Sequence, residues 1–87
     1  MSTLSARCVV ALSLLLTSAA PALALAQFQS EVQAQRHCPT DVVVWLNLPS
    51  GIYHLKGQRW YGNTKRGAYV CKKEADAAGD RETRNGE

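Results

Sequence analysis

The chain has 87 residues, 46% of them hydrophobic and 20% charged, with a formal net charge of +3. A chain of that length is expected to hold one domain at most, and a domain so small buries a modest share of its surface and tends to need a covalent or metal staple. The charge is only mildly basic and singles out no partner.

Met1 to Arg7 is short and polar, with one positive charge, and Cys8 to Leu16 is a compact apolar run. Ala24-Leu25-Ala26 before Gln27 fits a small-x-small cleavage site, with Ala22-Leu23-Ala24 a second one two residues earlier. The rival reading is a membrane anchor, which wants ~20 apolar residues; the apolar stretch barely reaches that length and Pro21 interrupts it. Residues 1–26 are therefore expected to be a signal peptide. The product is periplasmic or secreted and, once processed, not an integral membrane protein. The leader also inflates the hydrophobic content.

Residues 27–37 are rich in glutamine, with Phe28 and Val32 as their only sizeable apolar side chains. Two apolar residues do not anchor a helix alone, so this stretch reads as a polar tether. Val42 to Leu48 is a strand: Val, Val, Val and Trp suit a pleated surface, and the run is short for a helix. Alternation puts Val42, Val44, Leu46 and Leu48 on one face and Val43, Trp45 and Asn47 on the other. Leu48-Pro49-Ser50-Gly51 reads as a turn into a second strand, Ile52 to Leu55, completing an antiparallel hairpin. Ala68 to Val70 is a short third strand. Glu74 to Ala78 is a helical turn or two that Gly79 stops. Cys71 sits at capping-box spacing before Glu74, but a thiol is a poor cap. Residues 80–87 read as a flexible tail. The expected architecture is a small α+β domain over 38–79, a three-stranded antiparallel sheet with one short C-terminal helix.

The elements V-V-W-L-N, S-G-I-Y-H, G-Q-R-W-Y-G-N-T-K-R-G-A-Y-V-C, K-E-A and A-G-D-R together resemble a family of short exported bacterial proteins with no assigned activity. The pattern covers Asp41 to about Arg81. A more distant resemblance is to small zinc beads of the Ada type, with two strands, a Y-H element, a cysteine four residues on, a helix and a closing cysteine pair. Tyr53-His54 matches the start. Gln58 stands where the first cysteine would be, and no Cys or His follows Gly79. That resemblance implies a fold and no metal, so no cofactor is expected.

Cys38 and Cys71 are the two cysteines beyond the leader, and in an exported domain an even count favours a disulfide. The alternatives are free or intermolecular thiols, or zinc held by His37, Cys38, His54 and Cys71. For zinc, adjacent ligands at 37 and 38 are poor geometry and no C-x2-C pair is present. Asp41, Ser50 and His54 supply the residue types of a hydrolase triad, but ~13 Å of strand separates Ser50 from His54 unless the turn folds them back. There is no G-x-S-x-G elbow either, so no catalytic residues are assigned.

Lys56, Arg59, Lys65, Arg66, Lys72 and Lys73 fall around Trp60, Tyr61 and Tyr69. Basic residues among aromatics suit a polyanion or nucleic acid, where cations meet phosphate and rings stack on bases. The plainer reading makes the rings core and the cations its solvated rim. The candidate binding surface is Lys56, Arg59, Trp60, Tyr61, Lys65 and Arg66, and the partner an envelope protein or an anionic polymer. The leading expectation is a non-catalytic exported module with an interaction or envelope-structural role; polyanion or nucleic-acid binding is the alternative.

Overall fold

A computed structural model describes residues 25–87. The expected leader falls almost wholly outside these residues. In chain order the elements are α1 (Glu31–His37), β1 (Val43–Asn47), β2 (Ile52–His54), β3 (Gly67–Cys71), α2 (Lys72–Ala77) and β4 (Arg81–Glu82). The strands form one sheet in the order β3-β1-β2-β4. β1 pairs antiparallel with both β2 and β3, while β4 runs parallel to β2. The sheet is therefore mixed, not purely antiparallel, and it has four strands where three were expected.

The hairpin lies where its sequence places it, trimmed by a residue at each end of the first strand. Gly51 sits at φ 71°, and its N–H and that of Ser50 both donate to the Asn47 carbonyl, at 3.0 and 3.3 Å. Only glycine takes that conformation cheaply, which explains why the loop closes there. Alternation also sorts the two faces. Val44, Leu46, Tyr53, Ala68 and Val70 share one face and pack with Ala75 of α2. Val43, Trp45, Asn47, Ile52, His54, Tyr69 and Cys71 share the other through their cross-strand pairing. Val42 and Leu48 flank β1 and are 54% and 40% exposed, so neither joins the core.

The stretch expected to be a tether is ordered. Ser30 caps α1, its Oγ accepting the Gln33 N–H at 3.1 Å, and Glu31 lies in the first turn where the helix dipole favours an acid. At the far end the Gln35 amide donates to the carbonyls of Cys38 and Asp41, both at 2.9 Å. Ala34 is fully buried, and Phe28 bridges to Tyr69 as a short antiparallel contact. Small size decides the matter: an alanine lets the helix lie close against the sheet, and a hydrophobic count does not register it.

α2 begins two residues earlier than expected, directly from β3. Cys71 stands at its N-cap and makes no side-chain capping bond. Gly79, at φ 92°, closes the helix: its N–H donates to the Asp76 carbonyl and that of Asp80 to the Ala75 carbonyl, which is a Schellman motif. The chain then turns back as β4, with the Arg81 N–H on the Gly51 carbonyl and the Thr83 N–H on the Tyr53 carbonyl, both at 3.0 Å. Parallel pairing to an open edge thus orders residues whose composition looks like a tail.

Cys38 and Cys71 form a disulfide, with Cα atoms 6.3 Å apart and a sequence separation of 33. It ties the end of α1 to the end of β3. A loop of that length contributes about 3 to 4 kcal/mol in the chain-entropy model, a large share of what so small a core supplies. No helix of the described residues is long and apolar enough to cross a membrane.

Candidate functional site

The register of β1 and β2 sets Trp45 opposite His54 and Asn47 opposite Ile52, all on one face. Trp45 donates from Nε1 to Thr64 Oγ1 at 2.8 Å, which holds the loop before β3 over that face. On the other side the segment after β4 swings round, and the Glu87 carbonyl accepts the Trp60 N–H at 3.0 Å. Between them lies an open cleft of about 550 Å³. The sheet and its turn contribute Asn47, Ser50, Ile52 and His54; Trp60, Asn63, Thr64 and Lys65 come from the loops before β3; Thr83, Asn85 and Glu87 complete it.

His54 is the unusual member. It is 7% exposed, and its Nδ1 is buried without a hydrogen-bond partner. A polar atom left in that state costs about 1 to 3 kcal/mol, so its retention needs a reason. Around it, several polar groups are pre-set by bonds to one another. Ser50 Oγ accepts from Asn47 Nδ2 and from the Ile52 N–H, at 3.0 and 3.2 Å. Thr83 Oγ1 donates to Asn85 Oδ1 at 2.7 Å, and Asn85 Nδ2 donates to Glu87 Oε1 at 3.2 Å. Lys65 and Glu87 are the only charged residues of the cleft and are of opposite sign.

The six residues of the expected surface divide their contacts among different partners. Trp60 and Tyr61 lie in turns and not in a strand, so strand alternation does not govern them, and both are half-buried. Tyr61 packs edge-on against Tyr69, with centroids 5.6 Å apart, and donates its hydroxyl to Glu31 Oε1 at 3.1 Å. Burial, and then Glu31, pushes the Tyr61 phenol well up. Lys56 bonds the other oxygen of Glu31 at 2.7 Å. That bond, with a smaller part from Tyr61, holds the Glu31 carboxyl below its ordinary value against the opposing effect of burial. Arg59 lies over the Trp60 ring at 4.8 Å and 3.7 Å from Glu87. Lys65 and Trp60 line the cleft, whereas Arg66 is exposed and its carbonyl accepts the Leu48 N–H at 2.9 Å.

The triad residue types do not meet. Asp41 precedes β1 and binds the start of α2, whereas Ser50 lies in the turn at the far end of β1. The four zinc ligands considered from sequence are also split. His54 and Cys71 flank β1 on opposite sides and pair with Trp45 and Val43, about 12 Å apart by strand spacing. Gln58, at the position of the zinc-bead cysteine, closes a turn: its Oε1 accepts the Leu55 N–H at 2.7 Å.

Sequence reasoning missed Asn47, Asn63, Thr83 and Asn85 as site residues. For Asn47 the signal was present, because alternation already sets it beside Trp45. For Thr83 and Asn85 there was none, since nothing local announces a parallel pairing. Compared with models of protein families, with curated proteins and with solved structures, the chain matches none.

Proposed function

We propose that the protein is an exported, non-catalytic binding module whose His54 cleft holds a neutral, hydroxyl- and amide-bearing polymer of the cell envelope, such as a glycan strand. The observation that carries this reading is the composition of the cleft. Six of its eleven lining residues carry an amide or a hydroxyl, set among apolar surface that includes one indole, and its one lysine and one glutamate are of opposite sign. Such a lining exchanges hydrogen bonds with a polyol while the ring takes up the apolar faces of sugars. Export is supported by the apolar run and A-L-A end of residues 8–26, and a role without catalysis by the engagement of Ser50 and Asp41 in structural bonds.

Polyanion binding has less support. Lys56, Arg59 and Lys72 each lie beside a carboxylate, which lowers the potential an anionic strand would feel. Calorimetric titration of the protein with soluble N-acetylated glycan oligomers, and separately with single-stranded DNA, tests the reading. Glycan binding that hardly changes with salt and is lost in Trp60→Ala and Asn63→Ala is the expected result. Binding to DNA alone, weakening steeply with salt, would establish the polyanion reading instead. Intact mass of protein taken from the envelope tests export, since retention of residues 1–26 would contradict cleavage.

A further inference from the structure

At the opposite end of the sheet from the cleft, three side chains with metal-binding atoms converge, and a fourth is bonded to one of them. His37 closes α1, Cys38 follows it, Cys71 ends β3 and Glu74 lies in the first turn of α2. Donor atoms of His37, Cys71 and Glu74 all lie within 4.8 Å of one another, and Cys38 is bonded to Cys71. His37 Nε2 stands 2.8 Å from Glu74 Oε2, and the imidazole packs against Phe28 with ring centroids 5.2 Å apart, which fixes its direction. Cys71 is fully buried, Cys38 is half-buried, and the His37–Glu74 pair is at the mouth, their side chains 41% and 42% exposed.

The geometry points to a redox-gated metal site: with the Cys38–Cys71 disulfide reduced, His37, Cys38, Cys71 and Glu74 take a zinc ion. The donor set, two thiolates, one imidazole and one carboxylate, is of the kind that holds tetrahedral zinc, whose ligand bonds of about 2.0 to 2.3 Å need donors less than about 4 Å apart. The sequence reading placed His54 in such a set; the fold substitutes Glu74, which α2 brings across from the far side of Cys71. Neighbouring residues 37 and 38 can both contribute because the helix ends between them: Cys38 has left helical geometry, at φ −133° and ψ 75°.

Chemically, an external dithiol reduces the disulfide and becomes a disulfide itself, leaving two thiols on the protein. Zinc then displaces their two protons and binds the thiolates. The physical reason for such an exchange is that both staples join the same elements. The disulfide ties α1 to β3; zinc would tie α1, β3 and α2. A core this small loses its cross-link on reduction, so a metal that restores it gains folding free energy as well as ligand bonds.

The test uses protein reduced with a water-soluble phosphine, which is oxidised to its oxide as the disulfide opens, and cleared of metal. Zinc is then titrated against a competing chelator dye. One zinc per reduced chain and none per oxidised chain is expected, with affinity falling about tenfold or more in His37→Ala and in Glu74→Gln and unchanged in His54→Ala. Zinc should also raise the melting temperature of the reduced wild type towards that of the oxidised protein. Should a reduced variant fail to fold, the cobalt(II) spectrum of the reduced wild type decides: tetrahedral d–d bands with thiolate charge transfer support the site. A reduced wild type that takes no zinc, or affinity unchanged when His37 and Glu74 are both replaced, would overturn it.

Discussion

Asp41 caps the helix that begins at Lys72: its Oδ2 accepts the Lys73 N–H at 2.9 Å, across 32 residues of sequence. The residue at the helix N-cap is Cys71, whose sulfur is committed to the disulfide and makes no capping bond. A carboxylate supplied from the start of β1 therefore does what a serine or aspartate ordinarily does from within the helix. The other oxygen, Oδ1, accepts the Val42 N–H at 2.7 Å, so one side chain fixes the entry to β1 and the entry to α2 together.

Replacing this carboxylate gives the first prediction. Asp41→Ala should cost about 1 kcal/mol, the ordinary value of a lost cap. In a domain of this size that lowers the melting temperature by roughly 4 to 8 °C. Asp41→Asn keeps an acceptor and should recover most of the loss, failing only by the charge it no longer presents to the helix dipole. Thermal melts of the three proteins check this. Equal melting temperatures for wild type and Asp41→Ala would mean that the helix start does not depend on the distant cap.

Gly67 gives the second. It faces Asn47 in the register of β3 with β1, and a Cβ there would overlap the Trp45 indole. No backbone reason excludes another residue, because positive φ is found elsewhere among the glycines and not at Gly67. The restriction is the ring alone. Gly67→Ala should therefore push Trp45 away, breaking its bond to Thr64, at a cost of about 1 to 3 kcal/mol. The loss of near-ultraviolet circular dichroism from Trp45, beside a far-ultraviolet spectrum left intact, would show it. An unperturbed near-ultraviolet signal would mean that the indole has room to shift without losing its packing.

These two residues also mark what the sequence makes legible. The β1–β2 hairpin, the two-faced alternation of Val44 and Leu46 against Trp45 and Asn47, the stop at Gly79 and the Cys38–Cys71 pairing all rest on local signals or on cysteine parity. Those signals survive folding because nothing tertiary competes with them. What was not legible depends on partners distant in sequence. α1 is stabilised where Ala34 meets the sheet, β4 where an open edge of β2 waits for it, and the cleft where Thr83 and Asn85 return beside His54. Glu74 is the sharpest case. From sequence it resembles a capping residue, yet it meets His37 from another helix.

The last prediction concerns acid. Asp76 accepts the Tyr53 hydroxyl and, at 3.2 Å, Lys72 Nζ. The Tyr53 bond first, and then Lys72, holds its carboxyl below the ordinary 3.8. Glu31 is likewise held below its ordinary 4.5, chiefly by Lys56. A carboxyl lowered in the folded state contributes stability that is complete above its unfolded value and is lost as pH falls through its folded one. The loss from Glu31 should therefore begin below pH 4.5 and that from Asp76 below pH 3.8. Asp80 acts in the opposite sense. Burial, with Asp76 nearby, raises its carboxyl above 3.8, so acidification first relieves a penalty as pH falls towards that value. Above pH 3.8 the Asp80 gain thus opposes the Glu31 loss, so melting temperature against pH should stay shallow there and decline more steeply below 3.8, where Asp76 adds its loss. Asp76→Asn keeps an acceptor for Tyr53 and should flatten the decline below pH 3.8, while Asp80→Asn should remove the gain above it. An acid limb of wild-type steepness in Asp76→Asn would show that the Tyr53 and Lys72 contacts do not set the acid stability of the fold.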